Sequence, residues 1–168
     1  MSGIETSAEF RRLGTCDVFY GGRNMGYTVG GVTVKITTSW VDIFVDRFGE
    51  VPLDDIDIGT NIEATVPLRQ GSVDNYNDAF DTGVTWGLGS GPIRFGRQVG
   101  TSIIKQTLVL NPINDTDGIK IYKAGVVDVD DIGYNNENHR ILTLHFKGFL
   151  DEDRANGDKL FRIFGHMS

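Results

Sequence analysis

"VTVKITTSWVDIFVDRFGEVPLDDIDIGTNIEATVPL", Val32 to Leu68, is built largely on a period of two. Val32, Val34 and Ile36 mark one face of a strand, and Val41, Ile43 and Val45 mark another. The apolar phase moves from even to odd positions between these triplets. Strand side chains alternate strictly, so a turn, bulge or bend is predicted within Thr37–Trp40. Ile62, Ala64, Val66 and Leu68 form a third strand, with Glu63 and Thr65 facing the other way. Val45–Gly59 fits neither loop nor core. Val45, Phe48, Val51, Leu53, Ile56 and Ile58 are large and apolar, yet Asp42–Asp57 also carries six carboxylates and one Arg. A solvated loop has no use for those hydrophobes, and a monomer's core strand cannot bury those charges cheaply. The segment is expected to be poorly packed within one subunit and well packed against something else.

Outward from this stretch the alternation continues. Strands are predicted at Cys16–Tyr20, Ser102–Leu110, Gly118–Val127, His139–Phe149 and Lys159–Phe164. One helix interrupts them, in "GSVDNYNDAFDTG". Ser72 can cap it, Asp74 suits the positive end of its dipole, and Gly83 can close it. Val73, Tyr76 and Phe80 would share the face that docks on a sheet. With 22 glycines against 4 prolines and no internal repeat or linker, the expectation is a single mainly-β domain over residues 1–168. It would be mostly β, with one short helix after the third strand.

Charge narrows the function classes. The formal net charge is −7, and it is unevenly placed: residues 1–84 hold 6 basic and 13 acidic side chains, residues 85–168 hold 10 of each. That distribution argues against a module that grips DNA or RNA, which needs a basic stripe to displace counterions. No apolar run approaches the length of a membrane span, and "MSGIETSAEFRRLG" lacks the apolar core of a signal peptide. The single cysteine, Cys16, supports no internal disulfide and no Cys-based zinc pattern, and reads as a small hydrophobe. The chain reads as soluble and made in a reducing compartment.

Motifs that could carry chemistry are weak. "WGLGSGPIRFG" (Trp86–Gly96) has the glycines of a phosphate loop, but Pro92 and a strand-like segment follow where a helix and a Lys would be needed. "NDTDG" (Asn114–Gly118) and "DVDDIG" (Asp128–Gly133) lack the ligand series and closing Glu of a calcium hand, and read as turns. His139, His145 and His166 make no metal spacing, and nothing marks a nucleophile elbow. The reading is a non-enzyme with no cofactor and no metal site.

The order "GGVTVKITTSW", "VDIFVDRFGEVPLDDIDIG", "NIEATVPLRQ" and then a helix, Gly30 to Phe80, resembles the tail tube proteins of tailed bacteriophages. In that family a G-V-x-V strand leads into a D-x-x-G-x-x-P-x-D segment; Asp46, Gly49 and Pro52 stand at its first positions here, with Asp55 one residue beyond the last and Gly59 following. Arg47 stands where an uncharged polar residue is more usual. The likeness covers about a third of the chain; the remainder matches only as strands of fitting length.

What the resemblance implies is a structural virion protein whose subunit is a β-sandwich or barrel-like fold with one short flanking α-helix. Six subunits would close into a ring, and rings would stack into a hollow tube through which phage DNA passes without specific binding. The inter-subunit interface would involve Trp40, Val41, Phe44, Val45, Asp46, Arg47, Phe48, Gly49, Pro52 and Asp55. Partners would be further copies of the chain and other tail proteins, such as sheath or tail-end proteins, with no membrane. Assembly would take place in the host cytoplasm. Alternatives are a tube-like protein at a tail end or in a related injection or secretion machine, and a monomeric β-sandwich binding module. The module would need a solvent-facing row of aromatics, for which Trp40 and Trp86 are too few.

Overall fold

Alternating apolar residues give strands that can bury one face, and antiparallel pairing lets them do so around one core. The computed structural model describes residues 16–50 (for Phe48 the backbone only), 52–69, 75, 76, 79, 100, 102–112, 117–132 and 141–165. Its strands are β1 (Cys16–Tyr20), β2 (Arg23–Asn24), β3 (Thr33–Phe44), β4 (Pro52–Leu68), β5 (Gln106–Pro112), β6 (Gly118–Val129), β7 (Leu142–Phe149) and β8 (Phe161–Phe164). They form one antiparallel sheet in the order β2-β1-β5-β6-β7-β4-β3, with β8 paired to β6. The protein is mainly β, as the periodicity requires.

The buried face carries Val18, Tyr20, Ile62, Ala64, Val66, Leu68, Leu108, Leu110, Ile121, Leu142, Leu144 and Phe146. Their neighbours along β4 and β7 are half-buried or exposed, the pattern of a sheet with one inner side. The sheet curls tightly. Tyr20 on β1 and Phe146 on β7 are separated by two intervening strands, yet their ring centroids lie 5.1 Å apart. Neighbouring strands are spaced by about 4.8 Å, so a flat sheet would hold these residues roughly 14 Å apart. The Tyr20 hydroxyl completes the inner contact by donating to the Ala124 carbonyl at 3.1 Å. Beyond β2, Thr28 bridges to Leu68 and the Val29 amide donates to Pro67 at 2.9 Å, which brings the two ends of the sheet close together. The sheet is nevertheless not closed: among the described residues no ladder joins β2 to β3.

A short helix packs on this core. Asn75, Tyr76 and Ala79 are helical, and Tyr76 and Ala79 touch the core. Asn75 is buried, its Nδ2 donating to the Met25 carbonyl at 2.9 Å and its Oδ1 accepting from Arg23 at 3.0 Å. Val73, Phe80 and the rest of the helix predicted over Ser72–Thr82 lie outside the described residues.

Several boundaries differ from the sequence expectation. The triplets at Val32–Ile36 and Val41–Val45 belong to one continuous segment, most of it in β3, and the predicted irregularity is a bulge between Ser39 and Trp40. The extra residue, Ile58, sits on the partner strand, so β3 is not broken. The strand predicted at Ile62–Leu68 is the last part of β4, which begins ten residues earlier at Pro52. Ser102–Lys105 is not strand; Ile103 is seated on Gly125 instead. The two-residue β2 is too short to leave a periodic signal.

β7 and β8 run along the same edge of β6, β7 pairing with its second half and β8 with its first. Between them Leu150–Leu160 leaves the sheet and returns, and a polar clasp fixes it. Lys123 pairs with Asp151 at 2.8 Å. Asp158 accepts from the Tyr122 hydroxyl at 2.5 Å and from Arg154 at 2.7 Å, while the Arg154 guanidinium lies 3.6 Å over the Tyr122 ring. The Tyr122 hydrogen bond, then the Arg154 pair, holds the Asp158 carboxyl below its ordinary range. On the outer face His145 ties three segments, Nε2 donating to Asp130 at 2.8 Å and Nδ1 accepting from the Thr65 hydroxyl at 3.2 Å.

Phe146 joins β7 to β1 across the curl. Phe146→Ala is expected to destabilise the fold by roughly 3–5 kcal/mol, read as a lowered midpoint in equilibrium chemical denaturation. An unchanged midpoint would mean the curl does not depend on this contact.

Candidate assembly interface

β4 pairs with β7 only from Glu63 to Leu68. Before Glu63 its partner is β3 alone, in a ladder that runs out to Phe44 and Pro52. The distal part of the hairpin therefore leaves the sheet as a two-stranded arm. Thr37–Phe44 alone spans about 27 Å at roughly 3.4 Å per residue. Asp46–Phe48 forms a 3-10 turn at the tip, after Val45 and before Gly49. Gly49 has φ 71° and closes the turn, and Gly59 has φ 143° at the bulge beside Ser39; neither conformation suits a residue with a Cβ.

All ten residues of the expected interface lie in this arm. Trp40, Val41 and Phe44 are on distal β3, Val45 through Gly49 make the tip, and Pro52 and Asp55 are on distal β4. Cross-strand register assigns their sides, because directly opposed residues share a face. Trp40 opposes Asp57, Asp42 opposes Asp55 and Phe44 opposes Pro52 on one face, while Val41 opposes Ile56 and Ile43 opposes Asp54 on the other. The two residues left without a ladder partner are Ile58 and Leu53. They are also the barest large hydrophobes of the arm, 62% and 63% exposed, beside Trp40 at 58% and Phe44 at 55%.

Both faces of the arm are thus apolar and uncovered. A two-stranded hairpin is marginal in water by itself, and monomers seldom expose so many neighbouring hydrophobes without using them. Ile36, Leu53, Ile56 and Ile58 are exposed as well, although the family pattern does not single them out. For the last three the signal was the unexplained hydrophobicity of Val45–Gly59.

The arm also holds a like-charge pair. Asp55 faces Asp42 across the ladder. Its pKa is raised, first by a hydrogen bond shared with Asp42, then by lost hydration and by the charges of Asp42 and Asp54. At the root of the arm the sheet instead sets opposite charges side by side: Lys35 faces Glu63, and Glu63 faces Lys147.

Among the described residues no cluster of His, Cys, Asp and Glu is placed to hold a metal ion, and no helix is long and apolar enough to cross a membrane. Trp86–Gly96 lies outside the described residues. Burial pushes the Cys16 thiol up to about 11, aided by the Asp17 charge, so it stays protonated and unreactive at neutral pH. Set against known proteins, the chain matches no family model and no curated sequence.

A carboxyl whose pKa is raised by folding stabilises the fold in acid and loses that contribution as pH rises through the folded value. At neutral pH the charged Asp42–Asp55 pair opposes arm pairing. Asp55→Asn is therefore expected to increase hydrogen-exchange protection of the arm amides at neutral pH, at concentrations where the chain is monomeric. The difference from the wild type should shrink as pH falls into the carboxylate range. Equal protection at neutral pH would show that the pair does not strain the arm.

Proposed function

We propose that the protein is a structural subunit of a phage tail tube, assembling as hexameric rings that stack into a conduit for DNA in the virion. The observation that carries this reading is the arm. It projects large hydrophobes from both of its faces, and none of the described residues covers them. A single-sided binding patch would need only one apolar face. Two uncovered faces suit a segment inserted between neighbours, each taking one side. The sheet's open edges support the same reading, since edge strands favour pairing with further chains and ring closure satisfies them. The resemblance over Gly30–Phe80 places its signature residues, Asp46, Gly49, Pro52 and Asp55, at the tip and on the distal strand of this arm.

Purified protein is expected to form rings or tubes in negative-stain electron microscopy. Replacing Phe44 and Ile56, one on each face of the arm, with Asp should abolish them while leaving the circular dichroism of a folded β protein. A wild type that stays monomeric at every concentration would refute the reading. A double variant that still polymerises would refute the part played by the arm.

A conduit must also let a polyanion slide past its wall. The acid-rich first half disfavours attraction, because non-specific binders gain affinity by neutralising phosphates with basic side chains. Assembled tubes are expected to show no measurable affinity for duplex DNA at physiological salt in a salt-series titration. Tight, salt-sensitive binding would rule the conduit out.

A further inference from the structure

Across the described ladders, two cross-strand pairs bring like charges together, and they have opposite signs. Asp42 faces Asp55 on the arm, and Lys120 of β6 faces Arg162 of β8. All four residues are exposed. Like charges directly opposed across a ladder destabilise it, so an isolated subunit carries two local penalties that no ion pair among the described residues relieves. Asp158, whose charge is felt near Arg162, is already engaged by Tyr122 and Arg154. Among the described residues neither Lys120 nor Arg162 makes an ion pair.

We infer that the two pairs meet between copies: the Trp40–Asp42–Phe44 face of one subunit's arm docks on the outer face of β6 and β8 of the next. The surfaces match in chemistry as well as sign. The arm presents Asp42, Asp55 and Asp57 between the rings of Trp40 and Phe44. The receiving face presents Lys120 and Arg162, flanked by Val109 on β5 and by Phe164, which opposes Gly118. A guanidinium can fork onto carboxylates and lie against an indole ring at once, a combination an ammonium cannot match. The occupant of the acidic face is thus a second copy of this chain. Because donor and receiver are different patches, the contact is head-to-tail, the kind that closes into a ring or runs on as a filament. The face holding Val41 and Ile56 remains free for another neighbour.

This contact rests on the tube reading, and a charge swap tests each separately. The first variant is Asp42→Lys with Asp55→Lys, which has two basic patches. The second is Lys120→Glu with Arg162→Glu, which has two acidic patches. Each alone is expected to lose assembly in light scattering and electron microscopy. An equimolar mixture should recover it, because alternating copies again offer opposite charges at every contact. The neutral variants, Asp42→Asn with Asp55→Asn and Lys120→Gln with Arg162→Gln, relieve repulsion and so should fold at least as well. They should assemble more weakly than the wild type and with a flatter salt dependence. If the wild type assembles but a charge-reversed variant does so equally well, or the mixture of folded variants does not recover, the contact is wrong and the tube reading stands. Neutral variants that assemble like the wild type at every salt concentration would overturn it too. A wild type that never assembles removes the tube reading and this contact with it.

Discussion

β4 is longer than the described strands beside it can cover. β7 lies beside it only from Glu63 to Leu68, so one strand serves a packed core at its C-terminal end and a bare ribbon at its start. The shared ladder with β3 makes these two parts mechanically one. Lys35 opposing Glu63, itself opposite Lys147, is the last rung before the ribbon leaves the curled sheet. The direction in which the arm points is therefore inherited from the core, and the bulge at Ile58 and Gly59 resets which residues face which side. The arm is an extension rooted in the core, with its register fixed where the hydrophobic effect is strongest and its large apolar side chains left exposed.

The legible and illegible parts of the sequence divide along the same line. Cys16–Tyr20 and the Ile62–Leu68 alternation read correctly because their inner residues are buried by their own chain, and period two survives where one face meets a core. The Val45–Gly59 segment could be recognised only as anomalous. Leu53, Ile56 and Ile58 are exposed on a two-stranded ribbon, so no alternation of buried and exposed residues marks the segment as strand. The bulge was located from the phase change at Thr37–Trp40, but the strand carrying the extra residue was not, because a phase change in β3 is silent about its partner. Register itself was invisible, and with it the Asp42–Asp55 and Lys120–Arg162 pairs, which exist only once strands far apart in sequence are aligned.

The charge pattern repeats this division. Where the sheet is covered, opposite charges alternate across Lys35, Glu63 and Lys147, and the clasp at Tyr122, Arg154 and Asp158 is satisfied internally. Local complementarity is broken on the arm and at the outer end of β6 and β8. The described fold thus satisfies its charges in one region and leaves them opposed in two others. On the proposed assembly, repulsion in the free subunit would weaken the arm's own pairing before a neighbour arrives and so guard an exposed hairpin against indiscriminate association.

The excursion between β7 and β8 has a consequence for engineering. Leu150–Leu160 departs from the edge of β6 and rejoins it almost where it left, at Phe149 opposite Lys123 and Phe161 opposite Ile121. The strand line is already complete without it, and Ala155, Asn156 and Gly157 at its crest are exposed. Foreign peptide grafted at that crest would lengthen a detour whose two ends are fixed, so neither strand would have to shift register to admit it. The cost of the longer loop grows only with the logarithm of its length. The crest is thus a natural display position, repeated once for every copy of the chain.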